Sequence, residues 1–128
     1  MQRPSLDQQI TFLYAEDPQA SWGFYEEVLE LPLARDQGSV RIYAVDGSGG
    51  FLGVCRASEA GRCSNPRVAG GVVFTFVTQD VEGWHAFLAG KGIALSALEY
   101  SATYRITHFF FTDPAGYTLE VQRFEDPA

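Results

Sequence analysis

The sequence predicts an α+β fold made of two copies of one βαβββ module. Two observations carry this prediction. The segments 41–56 (RIYAVDGSGGFLGVCR) and 108–123 (HFFFTDPAGYTLEVQR) match at a shift of 67 residues, which places Asp46 over Asp113. A strand-like run followed by an amphipathic helical segment precedes each of these two stretches. The chain therefore reads as a doubled supersecondary unit.

Each module begins with a predicted strand and a predicted helix. The runs ITFLYAED (10–17) and VVFTFVTQD (72–80) are rich in β-branched and aromatic residues, which is typical of strands. Each run ends at an acidic residue, Asp17 or Asp80, that can cap a following helix. Apolar residues then recur at helical spacing, namely Trp22, Tyr25 and Leu29 in the first module and Val81, Trp84 and Leu88 in the second. The acidic run Glu26, Glu27 and Glu30 is interpreted as the solvated face of the first helix.

Each module ends in a predicted β-hairpin, with an apolar run, a turn that contains Asp and Gly, and then alternating apolar residues. The strand and helix parts align at a shift of 63 residues, which places Ile10 over Val73, and the longer connection 94–105 absorbs the difference. The expected organisation is a loose N-terminus 1–9, module 10–56, a Gly/Ser/Pro/Arg-rich linker 57–71, module 72–123 and a C-terminal tail 124–128.

The size of each module predicts that the two sheets pair. A single sheet with one helix leaves its second face without a partner. We therefore expect the two sheets to close against each other around a pseudo-twofold axis. The space between them is then a natural cavity for a small ligand.

Composition and charge exclude several classes of function. The chain has 128 residues, of which 46% are hydrophobic and 14% aromatic, so a folded domain is expected rather than a disordered one. The net charge of −7 opposes binding to nucleic acid. No apolar run reaches the ~20 residues of a membrane helix, and the N-terminus has no apolar signal core, so a cytoplasmic protein is expected. The spacing of Cys55 and Cys63 predicts neither a structural disulfide nor a zinc site.

Two motifs resemble a known superfamily. SWGFYEEVLELPL (21–33) is similar to its first-helix segment, and FFTDPAGYTLEV (110–121) is similar to its closing hairpin. The family is the vicinal oxygen chelate superfamily, which includes glyoxalases, bleomycin-resistance proteins, fosfomycin-resistance enzymes and extradiol dioxygenases. The resemblance covers about residues 10–123. It implies a cupped sheet in each module and, in metal-using members, a metal held at the bottom of the cup.

The same resemblance assigns four positions to the metal ligands, one on the first and one on the last strand of each module. These positions fall on Ile10, Gly53, Val73 and Glu120. Only Glu120 carries a donor, whereas a divalent cation takes several oxygen or imidazole ligands. We therefore expect neither a bound metal nor another cofactor.

Glu120 is the strongest candidate for a catalytic or ligand-binding residue. The repeat pairs Arg41 with His108 and Tyr43 with Phe110. Strand alternation places the two residues of each segment on one face. We expect all five residues to line one cavity, where an Arg and a His backed by aromatic rings suit an anionic or planar ligand. The alternative for each residue is structural: a paired or solvated carboxylate, a surface Arg and a satisfied core His.

Three functions remain open from the sequence. The first is a metal-free protein that binds a small molecule in the cup between the modules, in the manner of bleomycin-resistance proteins. The second is a lyase, isomerase or dioxygenase of the same superfamily that uses Glu120, with His108 and water, at a degenerate metal site. The third is a non-catalytic structural or regulatory domain whose cup is filled by Phe side chains. A homodimer is expected because most small members of the superfamily dimerise.

Overall fold

The computed structural model describes residues 2–57 and 72–126. The chain divides into two compact units, Met1–Cys63 and Ser64–Ala128, which contain the two predicted modules and are called module 1 and module 2. Residues 58–71 of the predicted linker, with Cys63 among them, lie outside the described residues. None of the described helices is long and apolar enough to cross a membrane.

Module 1 follows the predicted order of elements. They are β1 (Gln9–Ala15), α1 (Pro18–Gly23) with a π-helical continuation (Phe24–Val28), β2 (Leu33–Asp36), β3 (Val40–Ala44) and β4 (Gly50–Arg56). The sheet order is β1-β4-β3-β2, in which β1 runs parallel to β4 and the other pairs are antiparallel. The helix begins where the sequence predicts, because Asp17 Oδ1 accepts a hydrogen bond from the backbone N–H of Ala20 and Pro18 suits the first turn.

Module 2 repeats this topology. Its elements are β5 (Val73–Val77), α2 (Val81–Gly90), β6 (Glu99–Ser101), β7 (Ile106–Thr112) and β8 (Thr118–Phe124). The sheet order is β5-β8-β7-β6, and β5 and β8 are parallel. Asp80 caps α2 by accepting from the backbone N–H of Gly83. Gly92, with a φ of +79°, ends the helix in a conformation that glycine adopts without strain. The predicted doubled βαβββ pattern is confirmed.

One face of each sheet is covered by the helix of its own module. In module 1, Trp22 Nε1 donates to the backbone oxygen of Val54 at 3.0 Å, and the ring of Tyr25 stacks on Tyr43. In module 2, Leu88 of α2 and Phe109 and Leu119 of the sheet are fully buried. Because strand side chains alternate between faces, the residues between these core positions lie on the other side of each sheet, which is called the open face.

The two hairpins differ by one residue in their loops. In module 1 the backbone N–H of Val45 bonds to the carbonyl of Gly50, which leaves residues 46–49 in the loop. In module 2 the N–H of Asp113 bonds to the carbonyl of Tyr117, which leaves residues 114–116. The two aligned aspartates therefore occupy different places: Asp46 lies within its loop and Asp113 closes its own.

Candidate functional site

Glu120 lies at the centre of β8 on the open face of module 2. Its neighbours in the strand, Leu119 and Val121, are buried in the core, so alternation directs Glu120 to the opposite side. Thr75 of β5 and Phe110 of β7 are its direct partners in the sheet. Glu120 is only 8% exposed even though it lies on this face, and a carboxylate buried to this degree needs hydrogen-bond donors.

Two side chains supply those donors. Thr75 Oγ1 donates to Glu120 Oε1 at 2.8 Å, and His108 Nδ1 lies 2.7 Å from Glu120 Oε2. The side chains of His108 and Glu120 are 17% and 11% exposed. Of the two donors that the sequence suggests for Glu120, His108 and Arg41, His108 is the one in contact with it. Thr75 was not predicted, although it lies two residues after Val73 and so shares the face of that candidate metal position.

The surroundings of this polar centre combine apolar and polar side chains. The ring of Phe110 contacts the imidazole of His108 edge-on, with 5.1 Å between centroids, and Phe110 is 37% exposed. Val73 and Val77 of β5 are exposed as well. Glu99 and Gln122 flank His108 as its direct partners on β6 and β8. A few convergent polar groups among apolar ones are typical of a site for a small molecule.

Arg41 and Tyr43 lie elsewhere, so the expectation that they share a face with their repeat mates is wrong. Both side chains point toward the helix of module 1. Arg41 Nη1 and Tyr43 Oη donate to Glu26 Oε2 at 2.6 Å and 2.8 Å. The Arg41 guanidinium also lies 4.6 Å from the ring centroid of Trp22.

The shorter loop of module 2 explains why Arg41 and Tyr43 face the helix while their repeat mates do not. In module 1, Ile42 lies opposite Gly53, whereas in module 2 Phe110 lies opposite Glu120. The structural mate of Phe110 is therefore Ile42 rather than Tyr43. Since side chains alternate along a strand, a one-residue change in pairing moves every side chain of β3 to the opposite face.

Glu26 makes half-buried contacts that the sequence interpretation misses, because its position in the acidic run indicates the solvated face of the first helix. Burial alone raises the pKa of Glu26, but hydrogen bonds from Arg41 and Tyr43 and the positive charge of Arg41 outweigh it and hold the pKa below its ordinary value. Burial and the hydrogen bond to Glu26 raise the pKa of the Tyr43 hydroxyl. This cluster fastens the π-helical segment to β3 and has a structural role.

His85 of α2 has a structural role as well. Its Nε2 lies 3.0 Å from the carbonyl oxygen of Ser96, and its ring contacts Phe109 edge-on. Ser96 in turn exchanges hydrogen bonds with the backbone of Phe110. His85 therefore ties the connection after α2 to β7 on the covered side of the sheet.

Comparison with protein families identifies the chain. A model of the glyoxalase/bleomycin resistance protein/dioxygenase superfamily matches residues 8–121. The chain belongs to this superfamily. Comparison with curated protein sequences gives no match, so membership rests on the family model and on the fold.

Solved structures of the superfamily share the fold. An antibiotic-binding protein, TnmS3 from a Streptomyces species, is 18% identical with a TM-score of 0.79, covering 97% of this chain and all of its own. A lactoylglutathione lyase from Agrobacterium tumefaciens is 23% identical with a TM-score of 0.72, covering 95% of this chain and 96% of its own. A glyoxalase/bleomycin resistance protein/dioxygenase from Nocardioides is 18% identical with a TM-score of 0.77, covering 100% and 88%. At these identities the likeness concerns the fold alone.

The superfamily's metal does not fit the residues of this chain. A Cβ atom on Gly53 would lie 2.5 Å from the ring of Phe12, so an aromatic ring occupies the space that a ligand at this position needs. Both oxygens of Glu120 already accept hydrogen bonds from Thr75 and His108. In residues 2–57 and 72–126, no three His, Cys, Asp or Glu side chains cluster to hold a metal ion. The donor set is too small for a divalent cation.

Proposed function

We propose that this member of the glyoxalase/bleomycin-resistance superfamily binds a small organic molecule on the open face of module 2, without a metal. The observation that carries the proposal is the pair of contacts by which His108 and Thr75 hold the buried Glu120 carboxylate. A buried, fully oriented polar group is expensive to keep unless it is used or structurally required. This one lies on a sheet face rather than within the helix-covered core.

The immediate surroundings support binding of an organic molecule rather than an ion. Phe110, Val73 and Val77 expose apolar surface around the polar centre. Such surface gains free energy when a ligand covers it, and the polar groups fix the ligand's orientation. The structural likeness to an antibiotic-binding protein is consistent with this class of function.

The charge of the chain favours a neutral or cationic ligand. The net charge is −7, and both carboxylates beside His108, Glu99 and Glu120, lie on the proposed binding face. Anionic molecules such as phosphates are therefore disfavoured by long-range repulsion. This refines the sequence expectation, in which Arg41 belonged to the site and an anionic ligand was acceptable.

Native mass spectrometry of freshly purified protein tests the proposal. We expect a retained small molecule in the wild type and its loss in Glu120→Gln, which keeps the shape of the side chain and removes its charge. Glu82→Gln is the matched control, because it removes a module 2 carboxylate that pairs with Arg123 on the surface. Equal ligand retention in both variants, or no ligand and no binding to a metabolite library by the wild type, refutes the proposal.

A lyase or isomerase without a metal is the second candidate, and the same His108–Glu120 contact favours it. A carboxylate hydrogen-bonded to an imidazole is a common arrangement for proton transfer. The chain shares its fold with a lactoylglutathione lyase. The test uses the molecule that co-purifies with the wild type. If the wild type converts this molecule and His108→Asn leaves it unchanged, the protein is an enzyme rather than a simple binding protein.

A further inference from the structure

We propose that His108, rather than Glu120, presents the atom that contacts the ligand, and that this atom is Nε2. Glu120 is then a positioning residue, which fixes the imidazole so that Nε2 accepts a proton or a hydrogen bond. The inference rests on the proposed binding function of the module 2 face, and it assigns the roles of the two residues within that site.

The first step is the placement of the proton on His108. An ionised carboxylate has only acceptors. The imidazole nitrogen 2.7 Å from Glu120 Oε2 is Nδ1, so in neutral His108 the hydrogen lies on Nδ1. Nε2 then carries the lone pair. Within residues 2–57 and 72–126, Nε2 of His108 has no hydrogen-bond partner.

The second histidine of the chain provides an internal contrast. His85 Nε2 lies 3.0 Å from the carbonyl oxygen of Ser96, and a carbonyl is also only an acceptor. Neutral His85 must therefore carry its hydrogen on Nε2. The two histidines of this protein are thus fixed in opposite tautomers by their acceptors.

The third step concerns the carboxylate. Glu120 accepts one hydrogen bond on each oxygen, from Thr75 and from His108, and its side chain is 11% exposed. It is held from both sides and offers little surface to a ligand. A carboxylate in this position holds the imidazole in one orientation and one tautomer.

The chemistry of Nε2 and its neighbours indicates the ligand class. A lone pair on imidazole recognises an N–H or O–H donor, and Phe110, which touches the His108 ring and is 37% exposed, offers an aromatic surface for stacking. We infer a small aromatic molecule with a weakly acidic hydroxyl. When the proton moves, the ligand O–H bond breaks, an N–H bond forms at Nε2, and the electron pair stays on the ligand oxygen.

The groups that face His108 are consistent with this transfer. Glu120 of β8 and Glu99 of β6 are the charged neighbours, since Glu99 is its direct partner in the antiparallel pair. Gln122 of β8, the other direct partner, is uncharged. The neutral amide of Gln122 can hydrogen-bond to the ligand oxygen.

Nitrogen NMR of the imidazole side chains tests the proton placement without any ligand. At alkaline pH, where imidazole is neutral, we expect the Nδ1–H form for His108 and the Nε2–H form for His85. The single variants His85→Asn and His108→Asn assign the signals. In Glu120→Gln we expect His108 to lose its preference for Nδ1–H, and in Glu82→Gln, which removes a surface carboxylate that pairs with Arg123, we expect the preference to stay. An Nε2–H form of His108 in the wild type overturns the inference.

Acylation by diethyl pyrocarbonate measures the reactivity of the same atom. The reagent attacks the unprotonated nitrogen of a neutral imidazole. We expect His108 to react faster than His85, Glu120→Gln to slow His108 severalfold, and the surface control Glu82→Gln to leave its rate unchanged. Equal rates for His108 in the wild type and in Glu120→Gln contradict the positioning role of the carboxylate.

The two proposals fail separately in these measurements. A wild type that retains a ligand, and whose His108 carries the Nε2–H form, keeps the binding function and refutes the assignment of roles. A wild type with the Nδ1–H form that binds phenol no better than its methyl ether anisole, which lacks the donor, refutes the ligand class. Protection of His108 from acylation by phenol but not by anisole supports it.

Discussion

The ring of Phe12 covers the backbone of Gly53, its direct partner in the parallel pairing of β1 and β4. The equivalent pair in module 2 is Thr75 and Glu120, which are joined by a hydrogen bond. At this position of the repeat, module 1 packs an aromatic ring against a glycine, whereas module 2 joins a hydroxyl to a carboxylate by a hydrogen bond. The polar pair is therefore found in module 2 and the apolar contact in module 1.

This packing predicts that substitutions at residues 12 and 53 have coupled effects on the free energy of unfolding. Gly53→Glu should lower the free energy of unfolding by about 1–3 kcal/mol, because its Cβ would meet the Phe12 ring at 2.5 Å. Adding Phe12→Thr, which copies the module 2 pair, should recover most of that loss. Chemical denaturation of the wild type, both single variants and the double variant measures the coupling. Additive effects would show that the ring moves aside freely.

We expect less than one metal ion per chain in protein purified without a chelator. Ile10, Gly53 and Val73 offer no donor at three of the positions that hold metal in metal-using relatives, and one carboxylate contributes only a weak site. Elemental analysis after dialysis makes the measurement. Stoichiometric zinc, nickel, iron or manganese in the wild type, lost in Glu120→Gln, would contradict the prediction.

The Glu26 cluster predicts a loss of stability in acid. Because the folded-state pKa of Glu26 lies below its ordinary value of 4.5, its stabilising effect is complete above that value and is lost as the pH falls through the lower folded pKa. Unfolding free energies measured across this acidic range should fall less steeply in Glu26→Gln than in the wild type. Tyr43→Phe, which removes one of the two donors to Glu26, should give an intermediate slope. Identical slopes in all three proteins would show that the cluster does not contribute.

Trp22→Phe should destabilise the protein by roughly 1–3 kcal/mol. The change removes the indole N–H that donates to the carbonyl of Val54, and it leaves space in a position that is 4% exposed. It also weakens the stacking of Arg41 on the ring. Thermal and urea denaturation check the effect, for which Trp84→Phe is the matched control because Trp84 is only partly buried. A larger loss in the control would contradict the assignment.

Sedimentation should show a homodimer. The proposal rests on the behaviour of small members of the superfamily and on the aromatic content of 14%, which leaves apolar surface that a partner can cover. We expect a mass of two chains that stays constant on dilution through the micromolar range. A concentration-independent mass of one chain would exclude the dimer.

The fold was predictable from the sequence because its signals are local and occur twice. Asp17 and Asp80 cap their helices as the sequence indicated, and the alternating apolar residues before and after each turn form the predicted hairpins. The placement of Glu120 beside His108 followed from the second hairpin alone. Each of these features depends on residues close together in the chain.

The position of Arg41 and Tyr43 was not predictable, because the repeat in sequence differs from the repeat in space. Asp46 and Asp113 align by residue type, but the turn of module 1 is closed by the backbone of Val45 and that of module 2 by the backbone of Asp113. Glu26 escaped prediction for a related reason. The helix changes to π-helical pairing, in which Leu29 N–H bonds to the carbonyl of Phe24. The usual periodicity of 3.6 residues per turn then assigns Glu26 to the wrong side of the helix.

The extra loop residue of module 1 has a consequence for how such repeats can diverge. A point mutation changes one side chain in place, whereas the gain or loss of a single codon in the 46–49 turn would exchange the two sides of β3 together. Arg41 and Tyr43 would then leave the helix, and Ile42 would face it in their stead. A one-codon change in a turn is therefore a step by which one copy of a duplicated module can acquire a new surface while its sister keeps the old one.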